Sequence, residues 1–130
     1  MCWETKLKEC QIKRIAANDI QVYKILKERR TWIFNRIKYV SPYYNFKYKL
    51  NKIRKSRLEF DQTRDDVLII EKGLHSFTHF QHAEYYRVAG RPPFVTWIIF
   101  KAIIPKGSTY YRNETGEIVS NKLKIVEICG

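Results

Sequence analysis

Phe94-Val95-Thr96-Trp97-Ile98-Ile99-Phe100-Lys101-Ala102-Ile103-Ile104 is the longest apolar stretch of the chain. It falls well short of the roughly 18 apolar residues that a membrane-spanning helix needs. It is rich in β-branched and aromatic residues, and Pro105-Lys106-Gly107 stops it, so it reads as a buried central strand. Toward the C terminus, Thr109–Arg112 and Glu117–Val119 flank Asn113-Glu114-Thr115-Gly116, a hairpin signal. Lys122–Ile128 alternates and closes the chain as a further strand. Upstream, Phe80, Ala83, Tyr85 and Tyr86 fall near helical spacing behind Thr78, an N-cap type. Gly90 and Pro92-Pro93 end that pattern, so one helix is expected over about 79–89.

The first half reads as short strands. Ile20–Leu26 places Ile20, Val22, Lys24 and Leu26 on one face and Tyr23 and Ile25 on the other. Lys27-Glu28-Arg29-Arg30 looks like a turn, and Thr31–Val40 like the returning strand up to Ser41-Pro42. Phe46, Tyr48 and Leu50 alternate with Lys47, Lys49 and Asn51, a half-buried strand with a basic outer side. Asn51 suits a left-handed turn. Ser56–Phe60 reads as the next strand, Asp61–Asp66 as an acidic loop, and Val67–Ile70 as a short apolar strand. Before residue 20, Lys6–Ile12 as a strand and Lys13–Ala17 as a short helix are equally compatible with the pattern. The expected fold is α+β: a small, mostly antiparallel sheet of about six to eight short strands with one principal helix. One domain over 1–130 is expected. It would comprise an N-terminal extension (1–19), a basic Tyr-rich part (20–60) and a near-neutral part (61–130).

Composition narrows the class. At 130 residues and 45% apolar, the chain can bury a core without metals or disulfides. Cys2, Cys10 and Cys129 are an odd set without a C-x-x-C pair, and no apolar leader follows Met1. Both point to a reducing, cytoplasmic setting. The net charge is +12, and residues 1–60 hold 16 Lys and Arg against 5 Asp and Glu, while residues 61–130 hold 9 against 8. That asymmetry points to a polyanionic partner.

The charge is densest in Lys47-Tyr48-Lys49-Leu50-Asn51-Lys52-Ile53-Arg54-Lys55-Ser56-Arg57, with six cations and no acid. Tyr43 and Tyr44 lie beside it, and Arg29, Arg30, Arg36 and Lys38 upstream. Cations interleaved with rings suit nucleic acid, because phosphates pair with the cations and unpaired bases stack on the rings. The candidate binding residues are therefore Arg29, Arg30, Arg36, Lys38, Tyr43, Tyr44, Lys47, Lys49, Lys52, Arg54, Lys55 and Arg57. The competing reading is a tyrosine core with lysines that only solvate a strand edge. His75, His79 and His82 lack the further ligands of a zinc site. No G-x-S-x-G, P-loop or G-x-G-x-x-G occurs. No catalytic residue, metal or cofactor is assigned, and a non-enzymatic role is favoured.

Several segments together carry a resemblance: Val22-Tyr23-Lys24, Ser41-Pro42-Tyr43-Tyr44-Asn45-Phe46-x-Tyr48, Gly73-Leu74-His75-Ser76-Phe77, Ile104-Pro105-Lys106-Gly107-Ser108-x-Tyr110-Tyr111 and Gly116-Glu117-x-x-Ser120. Over about residues 20–128 the chain resembles a group of uncharacterised small proteins of bacteriophages and gut bacteria. Leu74 stands where that group has Phe, and Asn51 where it has Gly. The Lys/Arg excess of residues 24–57 is unusual for it, so inferences from charge belong to this chain alone. The group brings no activity, but it implies a phage setting inside a bacterial cell, where small accessory proteins block host defence, the anti-CRISPR kind included. The leading expectation is thus a non-enzymatic accessory protein that holds RNA, DNA or a nucleoprotein on its basic Tyr-rich surface, without membrane contact. Two alternatives stand beside it. One is a nucleotide-binding or ADP-ribosyl-transferase-like domain using His75, Ser76 and Glu117, with Tyr23 or Lys24 in the early-strand role. The other is a virion-associated structural protein.

Overall fold

The computed structural model describes residues 3–5, 12–31, 36–41, 47–64, 67–89, 96–113 and 115–129. In chain order the strands are β1 (Trp3–Thr5), β2 (Arg14–Ile15), β3 (Ile20–Thr31), β4 (Arg36–Val40), β5 (Lys47–Tyr48), β6 (Ile53–Lys55), β7 (Glu59–Arg64), β8 (Val67–Lys72) and β9 (Leu74–Phe77). After helix α1 (Phe80–Ala89) follow β10 (Trp97–Ile104), β11 (Thr109–Arg112), β12 (Glu117–Ser120) and β13 (Lys122–Ile128). The α+β class holds: the sheet is antiparallel, with one helix among the described residues.

β3 and β10 form the centre, paired from Ile20↔Ile104 to Lys27↔Trp97. Side chains alternate across this pair. Val22, Leu26, Phe100, Ala102 and Ile104 enter one buried cluster, and Ile25, Trp97 and Ile99 enter another. From this centre the sheet runs β2-β11-β12-β9-β3-β10-β13-β6. The outer half of β3 also pairs with β4, and β4 with β5. β1, β8 and β7 make a separate three-stranded sheet.

The large sheet is curled. Eight flat strands at about 4.8 Å spacing would hold β2 and β6 roughly 34 Å apart. Instead Ala16 beside β2, Tyr48 of β5, Ile118 of β12 and Leu123 of β13 share one core. Backbone bonds close the seam. Ser56 N–H donates to Asn121 O at 2.9 Å and Asn121 N–H to Thr109 O at 3.1 Å. On the outer face α1 covers the second cluster through Ala83, Phe80 and Tyr86. Phe77 and Tyr86 lie with ring centroids 5.0 Å apart.

Several expectations need correction. Thirteen strands occur among the described residues, more than the six to eight expected. The charged run 27–30 is strand, because β4 satisfies its backbone while Lys27 and Arg29 point away from the core. Asp61–Arg64 belongs to β7, paired with β8, rather than to a loop. Ser56–Leu58 is not strand, and β5 spans only Lys47–Tyr48 before Leu50 and Asn51 turn, with Asn51 at φ 61. Arg14–Ile15 is an edge strand and not helix, paired with Thr109 and Tyr110. Thr78 does not cap α1; its hydroxyl donates to Gly116 O at 3.0 Å, tying the helix start to the β11–β12 hairpin. The central strand begins at Trp97, with Phe94 and Val95 outside the described residues.

Candidate functional site

The curled sheet sorts the basic residues by face. Since Leu26, Phe100, Leu123 and Ile125 point inward, alternation sends Lys27, Arg29, Lys38 and Lys47 outward on β3, β4 and β5, and Lys55, Lys122 and Lys124 outward on β6 and β13. Two groups of cations result. In the first, Arg29 lies directly opposite Lys38. In the second, Lys55 lies directly opposite Lys122. Like charges at directly opposed positions are destabilising. None of these four side chains takes part in an ion pair among the described residues.

The second group lines a cleft of about 720 Å³ on the outer side of the seam. Lys13, Lys55, Arg57 and Lys122 supply its charge, and no acid lines it among the described residues. Thr109, Tyr111, Asn121, Ser56 and Leu58 complete the walls. Asn121 organises the floor. Its side-chain oxygen accepts from Thr109 N–H at 2.9 Å, while its backbone joins β11 to the Ser56 segment. Burial pushes the Tyr111 hydroxyl pKa up, so the ring presents a neutral polar edge.

Of the expected binding residues, Lys55 and Arg57 line this cleft, and Arg29, Lys38 and Lys47 sit on the β3–β4–β5 surface. Lys49 and Lys52 are exposed at the turn after β5. Arg54 stands opposite the buried Leu123, on the inner face, and its charge bears on Tyr48. Arg30 and Arg36 are strand residues in β3 and β4 whose side chains lie outside the described set, and Tyr43 and Tyr44 lie outside it entirely. Lys13 and Lys122 went unrecognised in the sequence, since folding alone brings them beside Lys55.

A second polar group lies inside. Lys24, opposite Phe100 on the inward face, is only 5% exposed. Its ammonium donates to His75 O at 2.5 Å and lies 5.6 Å from the Tyr48 ring centroid. Desolvation lowers its pKa from 10.5 to about 7. Burial, and then the Lys24 charge, lowers that of His75 to about 3, so His75 is neutral. Burial raises the Tyr48 hydroxyl above its ordinary value. The Tyr48 hydroxyl, Ser76 Oγ and His75 Nε2 are buried without partners among the described residues.

His75, Ser76 and Glu117 do not form one cleft. β9 pairs with β12 so that Ile118↔Ser76 faces the inner core, while Glu117↔Phe77 and Val119↔His75 face outward. Glu117 is held structurally, accepting from Tyr86 Oη at 2.9 Å and Asn113 Nδ2 at 3.3 Å. His79 and His82 stack edge to face, and no three potential metal ligands gather among the described residues. Cys129 is an exposed free thiol. No family model, curated protein or solved structure matches the chain. The functional reading therefore rests on the geometry of this chain. No described helix is long and apolar enough to cross a membrane.

Proposed function

We propose that this protein is a nucleic-acid-binding protein that holds the phosphate backbone on the outer face of its curled sheet. One observation carries the reading: two cross-strand pairs of like charge, Arg29↔Lys38 and Lys55↔Lys122, stand on that face without an acidic partner among the described residues. A fold that opposes cations twice on one surface carries a repulsion that a bound polyanion relieves. The charge excess of residues 1–60 builds the first surface and supplies Lys13, Lys55 and Arg57 to the second, which Lys122 completes from the near-neutral half. In the phage setting that the resemblance implies, such a protein acts by occupying the nucleic acid of a host nucleoprotein, a defence complex included.

The test is a salt titration of binding to a random oligonucleotide. Neutralising about five phosphates makes log K fall with log salt at a slope near −4. Ala replacement of Arg29, Lys38, Lys55 and Lys122 together should flatten that slope to near −1. Absence of binding at low salt, or a slope near zero, refutes the proposal.

A further inference from the structure

The two basic surfaces differ in shape, and the difference concerns which nucleic acid each accepts. The β3–β4–β5 surface lies on strand faces, whereas Lys13, Lys55, Arg57 and Lys122 line a recess walled by Thr109 and Tyr111. A duplex displays its phosphates on a stiff convex cylinder, whose bases are stacked inside, and follows the walls of such an open cleft poorly. A single strand can enter, because its backbone bends and its bases splay.

The spacing of the cations fits a strand backbone. Lys122 and Lys124 point outward two residues apart on β13, hence about 7 Å apart along the strand. That is comparable to the distance between successive phosphates of an extended single strand. Lys55 stands across from Lys122 on the same face, so two lysines flank the first phosphate position. Ile53, across from Lys124 and 50% exposed, gives an apolar surface beside the second. The Asn121 bonds to Thr109 and Ser56 fix the two walls before any ligand arrives, which lowers the ordering cost of binding.

We infer that the seam cleft is a single-strand site: it takes one phosphate of unpaired RNA or DNA between Lys55 and Lys122, the next phosphate meets Lys124 just outside the cleft on the same face of β13, and duplex is disfavoured. This rests on the nucleic-acid reading above and adds the class of nucleic acid to it.

Fluorescence anisotropy of the full chain at about 50 mM salt tests it, with a labelled single strand of about 12 nucleotides, the blunt duplex of the same sequence, and an acidic peptide of equal charge. The single strand should bind at least about tenfold tighter than the duplex, and tighter than the peptide. The double variant Lys55→Ala/Lys122→Ala should weaken single-strand binding severalfold and reduce its salt slope by about 0.7, the loss of one phosphate contact, leaving duplex binding unchanged. Its melting temperature should be no lower than the parent's, because the variant deletes an opposed like-charged pair. Arg29→Ala/Lys38→Ala should weaken both nucleic acids alike. Equal binding of single strand and duplex, or an unchanged single-strand slope in the Lys55/Lys122 variant, overturns the inference while leaving the nucleic-acid reading in place. Preference for the acidic peptide, or no binding of either nucleic acid, overturns both.

Discussion

Replacing Lys24 with Met removes a charge from the inner core while keeping the length of the side chain. The folded state holds Lys24 at a pKa of about 7 against 10.5 when solvated, because burial disfavours its charged form. A lysine whose folded pKa is depressed binds fewer protons folded than unfolded between these values, so stability rises with pH across that window. At about 1.4 kcal/mol per pH unit, the burden at pH 7 is roughly 4–5 kcal/mol, and it disappears above pH 10.5. The bond to His75 O offsets about 1 kcal/mol of it. Lys24→Met should therefore gain roughly 3 kcal/mol at pH 7 and lose about 1 kcal/mol above pH 10.5, where only the bond to His75 O is left to remove. Urea unfolding, followed by tryptophan fluorescence, to which buried Trp97 contributes, measures both chains at several pH values. The decisive quantity is the parent–variant difference, since the other lysines and the tyrosines titrate alike in both. A difference that stays constant between pH 7 and 10 refutes the argument, as does a variant less stable than the parent at pH 7. His75 acts in a separate window. Its folded pKa of about 3 means that its contribution is complete above pH 6.5 and is lost as pH falls toward 3.

Other outcomes follow from single contacts. Gly107→Ala meets open space at φ +86 and should cost about 1 kcal/mol by denaturant unfolding, from backbone strain alone. Gly116→Ala should cost clearly more, because at φ +90 its added Cβ would lie 2.6 Å from Thr78 Oγ1. Asn121→Ala removes the acceptor of Thr109 N–H and should lower stability by about 1–3 kcal/mol, and single-strand affinity should fall with it as the cleft walls loosen. Tyr86→Phe deletes the bond to Glu117 and should cost about 1 kcal/mol, yet leave oligonucleotide binding unchanged in the anisotropy assay.

What could be read from the sequence follows from how local each signal is. The strand periodicity of Ile20–Leu26 and Lys122–Ile128, the helix before Gly90 and the Asn113–Gly116 turn depend on neighbouring residues, and they match the structure. The charged run Lys27–Arg30 has the composition of a turn, and only its pairing with β4 makes it strand. The density of cations in Lys47–Arg57 was visible, but its division was not. Alternation along β6 sends Lys55 outward and Arg54 toward Tyr48, and only the register with β13 reveals which is which. Lys13 and Lys122 carry no local mark, because the seam that unites them with Lys55 is a product of the curl. Alternation alone puts Lys24 on the face of Val22 and Leu26, where the structure has it. Its burial depends on Phe100 and Tyr48, which the strand's own pattern does not contain.

The reach of β3 has a consequence for how the chain comes to be folded. Its Ile20 finds its partner in Ile104, and its Lys27 stands opposite Trp97 on one edge and Val40 on the other. During synthesis the N-terminal strand therefore emerges with one edge unmatched until most of the chain has left the ribosome. Closing such long loops before any reward is slow, and an open apolar edge invites association with other chains. The positive charges on the outer side of that waiting strand would repel other copies in the interval, so the surface proposed to meet phosphate would also keep the nascent protein from meeting itself.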